Sequence, residues 1–314
     1  MISLVLLMLF LFIEAQIVNG YSVTKCRSPP SVEDIKGITR YRARVAYDGS
    51  GFKGFQLQPR RRTVQGDLEV VLMQRFQQPV RVVGAGRTDS GVHARGQAIH
   101  FDLEAGAIKS KEELRAVEYS INRMLQKDVR IYDLQEAPVV TKLFDGEEKL
   151  IQWSAMYDST EKLYVYRISA EKSIYPLERH NRIVLHWADT NIALLKKVLK
   201  HFEGYHDFRA FSGGIEQLEK EAGGKLDTRR RVYCIKMVEE GDERYRIEVR
   251  LQGALYKMVR NMVGTALEVA WGRLSEADFL SLLNRTNHAV RKSNKSKPAP
   301  PEGLTLEQVY YNDY

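Results

Sequence analysis

The sequence predicts an α+β protein made of two similar α/β-sandwich halves, with mostly antiparallel sheets joined around a central cleft. Strand-like and helix-like patterns follow one another in a similar order twice, over residues 41–125 and again over 163–283. A polar, irregular stretch at 136–150 separates the two series and reads as a linker. At 314 residues with 44% hydrophobic content, the chain is long enough for two cores. The halves are drawn as residues 39–137 and 138–314, after a segment 1–38 set apart from the fold.

The elements follow in order. Residues 41–48 alternate as a strand does, and Gly49, Gly51 and Gly54 then punctuate a loop. Thr63 is placed to cap a helix in which Val64, Leu68, Val71, Leu72 and Phe76 form one apolar stripe. A glycine-bounded turn at 86–94 leads into a strand at 97–102. Ser110 with Glu113 reads as a capping box, opening a helix with Leu114, Val117, Ile121 and Leu125 on one face. In the second half, 163–168 reads as a strand and 192–202 as a helix. Strands at 232–238 and 245–251 are joined by a turn at 240–242. Residues 257–270 make a strongly apolar helix closed by Gly272, and Ser275 caps a last helix through Phe279, Leu280 and Leu283.

Composition narrows the function classes. A formal net charge of +8 favours an anionic partner, nucleic acid first. The two cysteines, Cys26 and Cys234, make neither a disulfide framework nor a metal-ligand cluster. Residues 2–13 are almost continuously apolar until Glu14 and Gln16. That run is short for a membrane span, so no stable membrane association of the mature form is expected; it suits the apolar core of a cleavable leader. Secretion, or a route into an organelle (plastid or mitochondrion), is the expectation from it. A mispredicted first exon is the alternative.

The turn Gly86-Arg87-Thr88-Asp89-Ser90-Gly91-Val92-His93-Ala94 holds one carboxylate, Asp89, beside a guanidinium, Arg87. A carboxylate on a turn at the mouth of a sheet is a candidate nucleophile or base. The next acidic residue is Asp102, so spacing gives no paired-carboxylate site. His93, His100 and Asp102 match no familiar metal spacing, and no metal is expected. On spacing alone, Asp89 as a turn residue bonding its own backbone is the stronger reading.

Resemblance reverses that order. The turn, with Gly96-Gln97 and His100-Phe101-Asp102 after it, resembles the active-site motif of the tRNA pseudouridine synthase A family. Further segments agree in order: Tyr47-Asp48-Gly49-Ser50-Gly51-Phe52-Lys53-Gly54-Phe55-Gln56-Leu57-Gln58, Thr63-Val64-Gln65-Gly66 and Lys162-Leu163-Tyr164-Val165-Tyr166. So do His206-Asp207-Phe208-Arg209-Ala210-Phe211, Met258-Val259-Arg260-Asn261-Met262-Val263-Gly264 and Gly303-Leu304-Thr305-Leu306.

The resemblance implies the pseudouridine synthase fold and isomerisation of uridine to pseudouridine at positions 38 to 40 of the tRNA anticodon stem-loop. No redox agent, nucleotide cofactor or catalytic metal is implied. By motif position Asp89 is the nucleophile, attack on the sugar or on the base being left open. Tyr164 is the tyrosine that stacks on the uracil and helps remove the C5 proton. Arg260 pairs with Asp89, Arg87 enters the stem to expel the base, and Leu304 walls the pocket. His93 and Arg231 join Arg87 as substrate or RNA contacts. Among Arg60-Arg61-Arg62, Arg229-Arg230-Arg231 and residues 291–297, at least one cluster should meet phosphate. A homodimer is also implied. Phe55 stands where the family usually has Trp, and Ser154 and Met156 where bacterial members usually have His and Arg. Those last two motivate the alternative reading, a catalytically impaired tRNA-binding chaperone.

Overall fold

The structure, a computed structural model, describes residues 37–144, 146–171, 173, 175–185, 190–283 and 290–312. The expected leader falls almost wholly on residues 1–36, outside the described residues. Strand β1 (Ile38–Tyr47) alternates as its pattern requires, turning Tyr41, Ala43, Val45 and Tyr47 into the core. Helix α1 (Val64–Phe76) begins where Thr63 accepts the Gly66 N–H at 3.2 Å, and it buries Val64, Leu68, Val71 and Leu72. Strands β2 (Val82–Gly84) and β3 (His93–Glu104) precede helix α2 (Lys111–Met124) and strand β4 (Val129–Glu136). Ser110 caps α2 by accepting the Glu113 N–H at 3.2 Å. The return arm of the expected capping box lands one residue early: the Glu113 carboxylate accepts from Lys109 N–H at 2.7 Å.

The stretch expected as an irregular linker is a hairpin instead, β5 (Val139–Phe144) with β6 (Glu147–Gln152). Charged residues mask its alternation: Val140 and Ile151 are buried, while Leu143 and Leu150 are exposed. Trp153 follows it and is buried against Tyr311, ring centres 4.8 Å apart, with the Arg42 guanidinium 5.6 Å from its centre.

The second half contains β7 (Ser159–Ser169), β8 (Ile183–Val184), α3 (Ile192–Lys200), β9 (Gly204–Asp207) and α4 (Ile215–Ala222). Next come β10 (Arg229–Gly241), β11 (Arg244–Leu251), α5 (Met258–Ala270), α6 (Glu276–Leu283) and β12 (Leu304–Tyr311). The β10–β11 turn lies at Asp242 and Glu243, both with positive φ, rather than at 240–242. Two left-handed central residues match the twist of a two-residue hairpin loop. Helix α5 is buried on nearly every side, as its apolar sequence requires. Phe202, Phe208, Phe211 and Phe279 pack mostly edge to face beside it.

The sheets of the two halves are one sheet of ten strands, ordered β4-β1-β3-β12-β7-β11-β10-β9, with β2 on β3 and β8 on β7. The pairing is antiparallel except for β12 with β3 and β8 with β7. The C-terminal strand β12 therefore stitches the halves together, meeting β3 at Thr305–His93 and β7 along its length. β3 loses β12 after Ala94 and gains β2 from Ile99. The Asp89 turn lies over that fork.

Away from the cleft, His100 and Asp102 make structural contacts. Asp102 takes two bonds from Arg40 at 2.7 and 2.8 Å, and His100 Nδ1 accepts the Ala155 N–H at 3.0 Å. Burial, then the Arg40 charge, depress the His100 imidazole from 6.5 to about 4, against a smaller pull from Asp102 and Asp158. His100 is neutral when folded, so the unfolded chain takes up the proton first. Stability is intact above pH 6.5 and falls as pH drops toward about 4. The loss should reach about 3 kcal/mol. His100→Gln should flatten denaturant-unfolding free energies across that window; an unchanged slope counts against the buried neutral imidazole.

Candidate active site

Asp89 sits on a turn whose backbone is held from several directions. Lys162 Nζ donates to Ala85 O and Gln97 Nε2 to Gly86 O, each at 2.7 Å. Tyr47 Oη and Thr88 Oγ1 share a hydrogen bond of 2.7 Å, and Phe55 N–H donates to Thr88 O at 3.1 Å. Val92 N–H closes the turn onto Asp89 O at 3.1 Å. Gly91 supplies the left-handed conformation, φ +81. Gly54, at φ +94, has a second reason to lack a side chain: a Cβ there would come within 2.8 Å of Thr88 O. Such bracing fixes the direction of the carboxylate before any ligand arrives.

Arg260, on the first turn of α5, donates from Nη1 to Asp89 Oδ2 at 2.8 Å, and both side chains are largely buried. Its Nε donates to Ala299 O at 2.8 Å, and Ala299 N–H returns a bond to Arg260 O at 2.9 Å. One planar guanidinium thus bridges the carboxylate and the segment that crosses α5 before β12. Gly264 permits that crossing, since a Cβ would lie 2.2 Å from Lys297 O and 2.9 Å from Ala299 N. Alanine normally favours a helix interior by about 1 kcal/mol over glycine. Here Gly264→Ala should instead lower stability by about 1–3 kcal/mol through overpacking. It should reduce kcat more than it raises KM, because Ala299 aims Arg260. Thermal melts and steady-state kinetics read both, and a stabilised, fully active variant would refute the packing argument.

Tyr164 lines the same cleft of about 800 Å³ with Arg87, Asp89, Arg260 and Leu304. Burial first, then the nearby Tyr47 and the Asp89 charge, push its phenol well above its ordinary value, so it stays protonated and neutral. Lys162, two residues earlier on the same face of β7, is buried, and burial lowers its ammonium to about 8. Lys162, Tyr47 and Gln97 are members of the quoted motifs to which the sequence assigned no task. Period two put Lys162 on the face of Tyr164, but nothing local named Ala85 O as its acceptor.

The remaining sequence-derived residues divide. Arg87 is exposed at the cleft and Leu304 is buried in its wall. His93 is buried beneath the turn and outside the lining: its Nδ1 accepts the Gly49 N–H at 3.0 Å, 3.2 Å from Asp48 Oδ1. Burial lowers its pKa, so as a neutral ring it braces the turn. Arg231 is exposed on β10, away from the lining. Of the basic clusters, Arg62 is committed to Asp67 and Asp128, Arg229 to Asp227, and Arg291 to the carbonyls of Asn294 and Ser296. Lys53, Gln56, Gln58 and Lys257 form the polar rim of the cleft. Ser154 and Met156 lie outside the lining, in a segment packed on His100, which leaves β3 opposite Gln97.

A carboxylate clamped by a guanidinium, beside a neutral phenol in an open cleft with a polar rim, is an arrangement suited to carboxylate chemistry on a flat ligand. The family model described as tRNA pseudouridine synthase matches residues 43–145 and 198–312, one stretch in each half. The tRNA pseudouridine synthase A of Lactococcus lactis subsp. lactis is 32% identical over 277 residues, covering 87% of this chain and 98% of the relative. That of Listeria monocytogenes serovar 1/2a is 34% identical over 276 residues, covering 87% and 100%. A solved Cbf5-Nop10-Gar1 complex aligns at 12% identity and TM-score 0.29, covering 77% of this chain and 56% of that one. The chain belongs to the tRNA pseudouridine synthase family.

Proposed function

We infer that the protein isomerises uridine to pseudouridine in tRNA, with Asp89 as the nucleophile. The observation that carries the assignment of roles is the 2.8 Å Arg260–Asp89 bond, which joins residues 171 apart beside Tyr164. Asp89 attacks the target nucleotide, the N–C glycosidic bond breaks, and the uracil turns in place. C5 then bonds to the ribose, the bond to Asp89 breaks and frees its carboxylate, and C5 loses a proton while N1 gains one, so the product has the atoms of the substrate. Tyr164 offers a flat face to the detached base, and its neutral phenol can carry a proton to or from it. Arg87 stands exposed where a residue entering a stem would support an expelled base, an extrusion that costs a few kcal/mol in a duplex.

The anticodon stem-loop at positions 38 to 40 is the proposed target, following the family resemblance. Mass-spectrometric mapping of pseudouridine in tRNA incubated with the pure protein tests it. Modification at those positions supports the reading, modification elsewhere in tRNA moves the target, and none at any position removes the assignment. The chaperone alternative leaned on Ser154 and Met156, which lie outside the cleft lining, and the same mapping experiment decides between it and an active synthase. A homodimer, and an organelle reached through the apolar leader, belong to the same proposal.

A further inference from the structure

The roles above use the inner part of the cleft and leave an aromatic at its mouth without a task. Tyr256 lines the cleft just before α5 and is 52% exposed, whereas Tyr164 is 7% exposed. Its ring is nonetheless held in place. Gly213 N–H donates to Tyr256 O at 2.9 Å, and a Cβ on Gly213 would meet ring atoms Cδ1 and Cε1 at 3.0 and 3.3 Å. Only a backbone without a side chain packs so tightly, so one side of the ring rests on the Gly213–Gly214 strip.

Lys257 then adopts φ +59, ψ +10, a left-handed conformation unusual for a residue with a side chain. Strain of that kind gathers at ligand sites. Its Nζ lies 4.9 Å from the centre of the Tyr256 ring. A lysine ammonium on its four-carbon stem is a contact that a flat ligand can displace. Leu218 of α4 extends the apolar side of this mouth, while Lys53 and Gln56 line the cleft with it.

An exposed, preoriented ring beside a cation matches one nucleotide: a base for the ring and a phosphate for the ammonium. We propose that Tyr256 is a stacking platform for a nucleobase next to the target uridine, with Lys257 moving onto the adjoining phosphate. The target base itself belongs with Tyr164, next to Asp89. Tyr256 is thus a positioning residue, and the proposal rests on the cleft being an RNA-modifying site.

The test uses an anticodon stem-loop RNA carrying 2-aminopurine beside the target position, bound to the full chain with Asp89→Asn to prevent turnover. In that background Tyr256→Ala should weaken binding by about fivefold to a hundredfold, the loss of one base–aromatic stack, with Tyr256→Phe within about twofold. The probe should be quenched by the Tyr and Phe forms and released from quenching in Ala. Lys257→Ala should lower the slope of log affinity against log salt by about one. With Asp89 restored, Tyr256→Ala should raise KM and leave kcat nearly unchanged. Unchanged binding and quenching in Tyr256→Ala overturn the platform. A Phe variant as weak as Ala also overturns it, because the hydroxyl and not the face would then be the contact. A fall in kcat at constant KM, pointing to a disturbed α5, likewise overturns it, and an unchanged salt slope removes the phosphate contact. Pseudouridine formation by the wild-type chain separates the two readings: present, a negative result strikes only the platform; absent, the function itself fails, while binding and quenching still report the stack.

Discussion

Asp89→Asn should abolish pseudouridine formation, with turnover falling by about a thousandfold or more, as when a nucleophile is removed outright. Asparagine has nearly the same shape, and its amide oxygen can still accept the Arg260 N–H that lies 2.8 Å from Asp89 Oδ2. The braces on the turn engage Ala85, Gly86 and Thr88, none of which changes. Fold and tRNA affinity should therefore survive, and only the attacking oxygen is lost. Site-specific mapping of pseudouridine, with filter binding of the same tRNA, reads both quantities. Turnover near the wild-type rate would overturn the assignment of Asp89. A parallel collapse of binding would say that the residue holds the cleft together instead.

Arg260 should give the second-largest effect. Its guanidinium reaches Asp89 and the Ala299 carbonyl at once, through Nη1 and Nε. Lysine keeps the charge but has no planar fork to serve both acceptors. Arg260→Lys should therefore lose about a hundredfold in kcat/KM, while Arg260→Met should lose more and cost about 3 kcal/mol of stability by leaving a largely buried carboxylate without its cation. The pair should behave as a unit: Asp89→Asn with Arg260→Met should be scarcely less active than Asp89→Asn alone. Additive losses would mean that Arg260 contributes through substrate contacts elsewhere, and near-normal activity in Arg260→Met would remove it from the site.

Much of the fold could be read locally. The stripe on α1 and the caps at Thr63, Ser110 and Ser275 lie where expected, because capping and periodicity depend on residues within a turn of one another. The hairpin at 139–152 is hard to read from sequence because Lys142, Glu147 and Lys149 share the face of the buried Val140 and Ile151, while Leu143 and Leu150 lie exposed on the other face, so apolar alternation is broken. Helix α4 was missed because it is short and buries only Ile215, leaving almost no stripe to detect. In the site, Asp89, Tyr164, Arg260, Arg87 and Leu304 were named in advance and line one cleft. His93, which the resemblance makes a substrate contact, is buried outside the cleft lining and accepts the Gly49 N–H, a partner that no local signal names.

The sequence by itself determined the main helices and central strands, the glycine-bounded turn that carries Asp89, and, through motifs in matching order, membership of the tRNA pseudouridine synthase family. Only the tertiary structure decided that the last strand, β12, joins the two halves into one sheet and that the Asp89 turn lies over the fork where β12 and β2 part along β3. It also decided that Lys162, Gln97 and Tyr47 hold that turn, and that Tyr256 stands half-exposed at the cleft mouth. The physical reason is range. Periodicity, capping and turn chemistry act between neighbours in the chain, whereas strand order and the partners of a buried amine are settled when distant segments compete to bury the same surface and satisfy the same carbonyls.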